Sequence, residues 1–251
     1  MSTTPVAAAE EPQAPGPINH FGRLFGVLFS PGATFADIVR RPTWVVPTVT
    51  MVVISLLASI IFVQRVDWRD VVSQQIEKSP RASQLSAEQK QQQIEAGAKF
   101  APIFGYVGGL IAPAFILLLT CLVMWGSYSL LAGVNPGFAT SFAITAHSFM
   151  TALVSTPIFL LIIFLKPKGT IDIENPVATN VAAFLPEDTA KWFMTFCKQI
   201  DIFTIWTLVL LAIGFAAVNP KKLKTGNALV IALSVWFVYV IVRTGFAWIL
   251  S

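Results

Sequence analysis

Long stretches without charged residues alternate with short polar segments along most of this chain. Asp, Glu, Lys and Arg do not occur in residues 42–64, 100–165, 202–220 or 225–242. A helix of about 20 apolar residues is long enough to cross a hydrocarbon core of about 30 Å. The pattern therefore predicts an all-α polytopic membrane protein, and the second stretch is long enough for two crossings.

The turn-forming segment Val134-Asn135-Pro136-Gly137 lies midway along that second stretch and predicts a tight hairpin between two crossings. The last stretch continues past Arg243 almost to the C-terminus. We therefore expect five membrane-spanning helices, at about residues 44–63, 105–131, 139–165, 202–220 and 228–250. An odd number of crossings places the two termini on opposite sides of the membrane.

The polar segments add a tail and several helices at the membrane surface. Residues 1–20 are rich in Pro and Ala and predict a disordered tail, whereas residues 21–251 form the membrane domain. Residues 21–41, with Ser30 and Pro31 as a helix start, indicate an interfacial pair of helices. Ser86 and Gln89 form a capping-box pattern that begins a solvated helix over residues 86–99. We expect another interfacial helix after Pro186.

Composition and charge exclude several classes of protein. Hydrophobic residues make up 55% of the chain and charged residues 12%, about half the charged fraction of a soluble domain. The net charge of +4 comes from scattered Lys and Arg residues, which argues against a nucleic-acid partner. Arg40, Arg41 and the three lysines within residues 221–224 adjoin predicted crossings, so the positive-inside rule places the N-terminus in the cytoplasm.

The predicted crossings offer little that could carry chemistry. They contain no Asp or Glu, the residues that proton- and cation-coupled transporters place at membrane depth. Hydrolase and phosphate-binding motifs are absent from the sequence as well. Cys121 and Cys197 lie in such different surroundings that we expect neither a disulfide nor a metal site. We therefore expect a protein that is not an enzyme and binds no cofactor.

The third predicted crossing carries a row of small polar side chains. Ser141, Thr145, Ser148 and Ser155 fall on one helical face, and His147 lies beside them. This face indicates either a polar path or lipid-headgroup site, or close helix packing through hydroxyl groups.

Two further features concern glycines and charges. Gly105 and Gly109 at the start of the second crossing favour close helix contact, with a ligand cleft as the alternative. Arg243 lies near the outer end of the fifth crossing. It either extends toward lipid phosphates or forms an ion pair with Asp201 at the outer start of the fourth.

A series of short segments occurs in a characteristic order along residues 20–250. They are Phe21-Gly22-Arg23-Leu24, Leu28-Phe29-Ser30-Pro31, Arg41-Pro42, Leu131-Ala132-Gly133, Thr156-Pro157 and Ile202-Phe203. This arrangement resembles the Yip family of Ypt/Rab-interacting membrane proteins, and in particular its bacterial branch.

The resemblance implies a five-span helical bundle with a cytoplasmic N-terminus, a short external C-terminus and no catalytic residues. Eukaryotic relatives are associated with Rab-type GTPases, but the short tail here contains no GTPase-binding motif. We expect a non-enzymatic, membrane-organising or partner-scaffolding bundle in a bacterial cytoplasmic membrane. The alternative is a small lipid or solute translocator that uses the polar face of the third crossing. Expected partners are the lipid bilayer and a membrane protein or a second copy of the chain.

Overall fold

A computed structural model describes residues 16–77, 79, 81–167, 179–186 and 188–249. Regular structure in these ranges is helical, with one isolated bridge between Asn180 and Asp201, so the all-α prediction is confirmed. Most of the predicted tail, residues 1–15, lies outside the described residues. The α-helices are, in chain order, α1 (His20–Phe29), α2 (Pro31–Arg40), α3 (Val45–Arg65), α4 (Trp68–Glu77), α5 (Ala87–Ala132), α6 (Phe138–Ser148), α7 (Ala152–Leu165), α8 (Lys191–Gln199), α9 (Ile202–Val218) and α10 (Thr225–Ile249).

Four helical segments of the described chain are long and apolar enough to cross a membrane. They are α3, α5, α10 and the continuous run Phe138–Leu165 that contains α6 and α7. The fourth predicted crossing corresponds to α9, which has only 17 residues. At about 1.5 Å per residue it is about 25 Å long, somewhat less than the hydrocarbon core. Its length alone therefore does not establish a fifth crossing.

Helix α5 is much longer than one crossing requires. The capping box is present: Ser86 N–H donates to Gln89 Oε1 at 2.9 Å, and Gln89 N–H donates to Ser86 Oγ at 3.2 Å. From there α5 runs for 46 residues to Ala132, and Gly133, which has a φ of 59°, caps its C-terminal end. The solvated helix and the second crossing, predicted as separate elements, are therefore one continuous helix.

The third crossing is divided near its middle, which the sequence did not predict. A 3₁₀ turn, Phe149–Thr151, separates α6 from α7. Immediately before it, Thr145 Oγ1 donates to the Ser141 carbonyl and Ser148 Oγ to the Ile144 carbonyl, both at 2.9 Å. Hydroxyl groups that bond to the carbonyl four residues earlier can bend a helix, and two such bonds immediately precede the change of helical pitch here.

Helices α1 and α2 form a hairpin that packs against α6 and α9. Pro31 begins α2 as predicted, but the Ser30 side chain makes no capping bond; the Ser30 carbonyl instead accepts from Thr34 Oγ1 at 2.9 Å. Phe35 is fully buried, and a Cβ atom built on Gly214 of α9 would meet Phe35 and Ile144. The hairpin therefore belongs to the core of the bundle on one side.

Helix α8 lies before α9, close to the predicted position. It begins at Lys191 rather than directly after Pro186, and its side chains at Trp192 and Phe193 are exposed. Residue 187, part of the expected helix start, lies outside the described residues.

Candidate functional site

The small polar residues of the third crossing are buried, but they are bonded within their own helix. Ser141, Thr145, His147 and Ser148 have almost no exposed surface. Each bonds to the carbonyl four residues earlier, including His147 Nδ1 to Ala143 O at 2.8 Å. His147 and Ser148 thus contact different carbonyls and are not arranged as a base with its nucleophile.

Ser155 departs from this group, although the sequence places it on the same face. It is only half-buried and lies in α7, beyond the 3₁₀ turn. There it lines an apolar cavity together with Thr151. The polar face is therefore a packing surface over α6 and a cavity wall over α7.

That cavity lies among α3, α5, α7, α9 and α10 and has a volume of about 570 Å³. This volume is within the range of about 300–1,000 Å³ typical of small-ligand sites. Its described lining contains no charged side chain. The hydroxyl-bearing residues of the lining are Thr120, Thr151, Ser155, Thr204, Thr207 and Tyr239.

Two of these hydroxyl groups join helices across the cavity. Thr151 Oγ1 and Thr207 Oγ1 are 2.8 Å apart, and Thr207 Oγ1 also donates to Phe203 O at 2.9 Å. These groups are therefore satisfied by the protein, and the remaining wall is suited to an apolar ligand.

A buried ion pair, which the sequence interpretation missed, holds the N-terminal hairpin. Arg23 on α1 is 3% exposed and donates from Nε to Asp37 Oδ2 on α2 at 2.8 Å. Its Nη1 donates to the Arg41 carbonyl at 2.9 Å and to Thr43 Oγ1 at 2.7 Å. The second oxygen of Asp37 accepts from Arg41 Nη2 at 3.2 Å. Burying these charges is tolerated because each has an opposite charge or a dipole beside it.

Gly105 and Gly109 lie against α3, at a close crossing of two helices. Ser59 Oγ donates to the Gly105 carbonyl at 2.6 Å. A Cβ atom at Gly105 would lie 2.6 Å from Val63 Cγ2, and one at Gly109 would meet the Ser59 side chain. Both glycines therefore lie at the helix contact, and neither lines the cavity.

Asp201 and Arg243 do not form the predicted ion pair in the described structure. Asp201 Oδ1 accepts from the backbone N–H groups of Phe203 and Thr204 at 2.9 and 3.0 Å, and Oδ2 accepts from Thr179 Oγ1. The Arg243 Nη1 group donates to Tyr239 Oη at 2.7 Å. Capping satisfies the Asp201 carboxylate locally, because free N–H groups of the first turn of α9 are already beside it.

The described residues also contain neither a disulfide nor a cluster that could bind a metal ion. Cys121 and Cys197 are both buried and free. Among the described residues, no group of three or more His, Cys, Asp or Glu side chains is placed to bind a metal ion.

Comparisons with known proteins also identify a membrane protein. A relative named membrane protein YknW, from Bacillus subtilis (strain 168), is 28% identical over 205 residues, which is 81% of each chain. No solved structure matches the chain significantly. The model of the Yip1 domain family matches residues 25–246, nearly the whole membrane domain. This multi-pass membrane protein therefore belongs to the Yip1 domain family.

Proposed function

We propose that this protein crosses a bacterial cytoplasmic membrane five times, with its N-terminus in the cytoplasm, and organises the bilayer without catalysing a reaction. The observation that carries the proposal is an apolar stripe on α1. Phe21, Phe25 and Phe29 are 71%, 55% and 78% exposed, and they recur at four-residue intervals along one face. The opposite face of α1 is buried in the bundle through Leu24 and Val27.

An exposed phenylalanine stripe on a membrane protein is suited to contact with acyl chains. Helices α1 and α2 have 10 residues each, about 15 Å, so neither can cross the bilayer. A hairpin that enters the bilayer without crossing it adds its volume to one leaflet only. Added volume in one leaflet favours a curved membrane, and this is the organising action that we propose.

The fifth crossing is supported by the contacts of α9. Lys222, in the link after α9, donates from Nζ to the Gly133 carbonyl at 2.6 Å. The α9–α10 link and the α5–α6 turn therefore lie at the same end of the bundle. Much of α9 is buried, from Leu208 to Ala216, which is typical of a helix enclosed by other helices rather than by lipid. Lys221, Lys222 and Lys224 at this end favour a cytoplasmic location.

The hydrogen bonds of the third crossing favour an organising protein over a translocator. A path along Ser141, Thr145 and Ser148 requires hydroxyl groups that are free to bind a passing solute. These three hydroxyls are buried and donate to carbonyls of their own helix.

The proposal is tested with fluorescent protein reconstituted into giant vesicles, with its N-terminus outward, from which narrow membrane tubes are pulled. The hairpin then adds volume to the outer leaflet, which is expanded on a narrow tube, so we expect protein density on the tube to exceed that on the vesicle by about twofold. Replacing Phe21, Phe25 and Phe29 together by Ser should abolish the difference, whereas replacing them by Leu should preserve it. Equal densities for the unmodified protein would refute the organising role, and accelerated lipid flipping in the same vesicles would favour translocation.

A further inference from the structure

The exposed lining residues of the cavity described above belong to α5 and α10. Its floor is formed by Met124, Leu208 and Leu211, all of which are buried. Its rim includes Leu119 on α5 and Tyr239 on α10, which are 52% and 50% exposed. The opening therefore lies between α5 and α10, two helices that are long and apolar enough to cross the membrane. Lipid chains are the medium at such a surface.

The walls of the cavity exclude an ion or a strongly polar solute. None of the described lining residues is charged, and the Thr151 and Thr207 hydroxyls are bonded to each other. An ion that entered such a site would lose its hydration without gaining a compensating charge. A hydrocarbon chain has no hydration to lose on entering, and it exchanges its contacts with neighbouring lipid for dispersion contacts with the walls.

A cation is present at the rim. Arg243 is one helical turn beyond Tyr239 on α10, and its Nη1 donates to the Tyr239 hydroxyl at 2.7 Å. The side chain of Arg243 is exposed, and a guanidinium within a membrane-spanning helix requires an anion or water. Phosphate oxygens match the fork of N–H donors that a guanidinium presents.

We propose that the cavity is a lipid site, in which one acyl chain of a membrane phospholipid enters between α5 and α10 while its phosphate binds Arg243. The chain fills the apolar interior and the headgroup stays at the rim. This site does not depend on the phenylalanine stripe of α1, because no residue of α1 lines the cavity.

The test uses phosphatidylglycerol with a photoreactive diazirine in one acyl chain, placed in phosphatidylcholine vesicles that contain the purified full-length protein. After illumination, mass spectrometry locates the labelled residues. We expect label on Met124, Leu208 and Leu211, because lipid on the outer surface cannot reach side chains that are this deeply buried. Label confined to outward residues such as Leu118 and Leu122 would overturn the proposal.

Filling the cavity provides a matched comparison on one helix. Thr120→Phe adds a ring inside the cavity, and we expect it to lower labelling of the floor about tenfold. Leu118→Phe adds a ring to the exposed side of the same helix and should leave that labelling unchanged. Equal labelling in the two variants would overturn the proposal, and the wild-type map remains decisive if Thr120→Phe does not fold.

The phosphate contact is tested separately. Arg243→Gln should lower labelling of the floor about threefold, whereas Lys221→Gln removes the same charge from an exposed link and should not change it. Unchanged labelling in Arg243→Gln would refute the role of the guanidinium. The Phe21, Phe25 and Phe29 serine variant should retain full labelling, so failure of the organising role and failure of the lipid site give different results.

Discussion

The Arg23 side chain shows how single residues fix the N-terminal hairpin to the bundle. Its guanidinium bonds to Asp37 on α2, to the Arg41 carbonyl and to Thr43, just before α3 begins. A buried charge that loses its partner is costly, because water cannot replace the lost interaction. The integrity of the hairpin should therefore depend strongly on Asp37, which accepts from both arginines.

We predict that Asp37→Asn destabilises the protein by about 3 kcal/mol, because it leaves the Arg23 guanidinium buried without a counter-charge. The double variant Arg23→Met with Asp37→Leu should be less destabilised than Asp37→Asn alone, since it removes both charges. Asp70→Asn, at an exposed position of α4, is the control. Thermal unfolding in detergent measures all three, and equal melting temperatures for Asp37→Asn and Asp70→Asn would show that the pair contributes no stability.

Sequence reasoning could not predict this pair or the partners of Asp201. Arg23 and Asp37 lie on different helices, so their contact depends on how the hairpin turns at Ser30. The composition of these two helices is the same whether Arg23 and Asp37 face each other or face water, so composition could not reveal the pair. For Asp201, opposite charge suggested Arg243 as a partner, but backbone donors two and three residues away were nearer.

At the scale of elements, the charge-free stretches were sufficient to place α3, α10 and the apolar part of α5. Length and hydrophobicity determine whether a helix can cross a membrane, and both are visible in the sequence. The division of the third crossing at Phe149–Thr151 was not visible, because Pro157, the proline expected to bend this crossing, lies six residues after the division, inside α7. The division follows Thr145 and Ser148, whose hydroxyl groups bond to carbonyls of their own helix. The same bond at Thr48 and Thr207 leaves α3 and α9 undivided, so the residue type alone does not predict the division.

The contact between α3 and α5 leads to a prediction about adjacent glycines. Gly109→Leu should destabilise the bundle by about 1–3 kcal/mol, because its side chain would meet Ser59 and force the two helices apart. Gly108→Leu is the control, since a Cβ atom there meets nothing within 4 Å. Thermal unfolding in detergent compares the two variants. If Gly108→Leu loses as much stability as Gly109→Leu, crowding against Ser59 would not be responsible, and helix propensity could not account for the loss because leucine favours a helix more than glycine does.

The two ends of the helical bundle are held together by different hydrogen bonds. At one end Lys222 donates to Gly133 at 2.6 Å. At the other, Arg65 Nη2 donates to the carbonyls of Ile163, Phe164 and Lys166, joining the ends of α3 and α7. The order of the predicted crossings also places the α5–α6 turn and the α9–α10 link at one end, and the ends of α3 and α7 at the other. It could not identify the cavity between the helices.

The two ends can be assigned to the two sides of the membrane by cysteine labelling. We predict that an impermeant thiol reagent added to intact cells labels Gln92→Cys, on the polar start of α5, but not Lys221→Cys. Both native cysteines are buried, so the background should be low. Lysed cells provide the control in which both engineered cysteines react. The reverse pattern in intact cells would invert the proposed orientation.

The uninterrupted course of α5 also gives the molecule a mechanical property. Its polar start, residues 87–99, extends about 20 Å at 1.5 Å per residue and belongs to the same rod as the part suited to the membrane interior. The backbone hydrogen bonds missing at Pro102 and Pro113 are the natural bending points along that rod. A force applied to the polar start would be transmitted along the helix, and bending at these prolines would determine how much torque reaches the far end at Gly133.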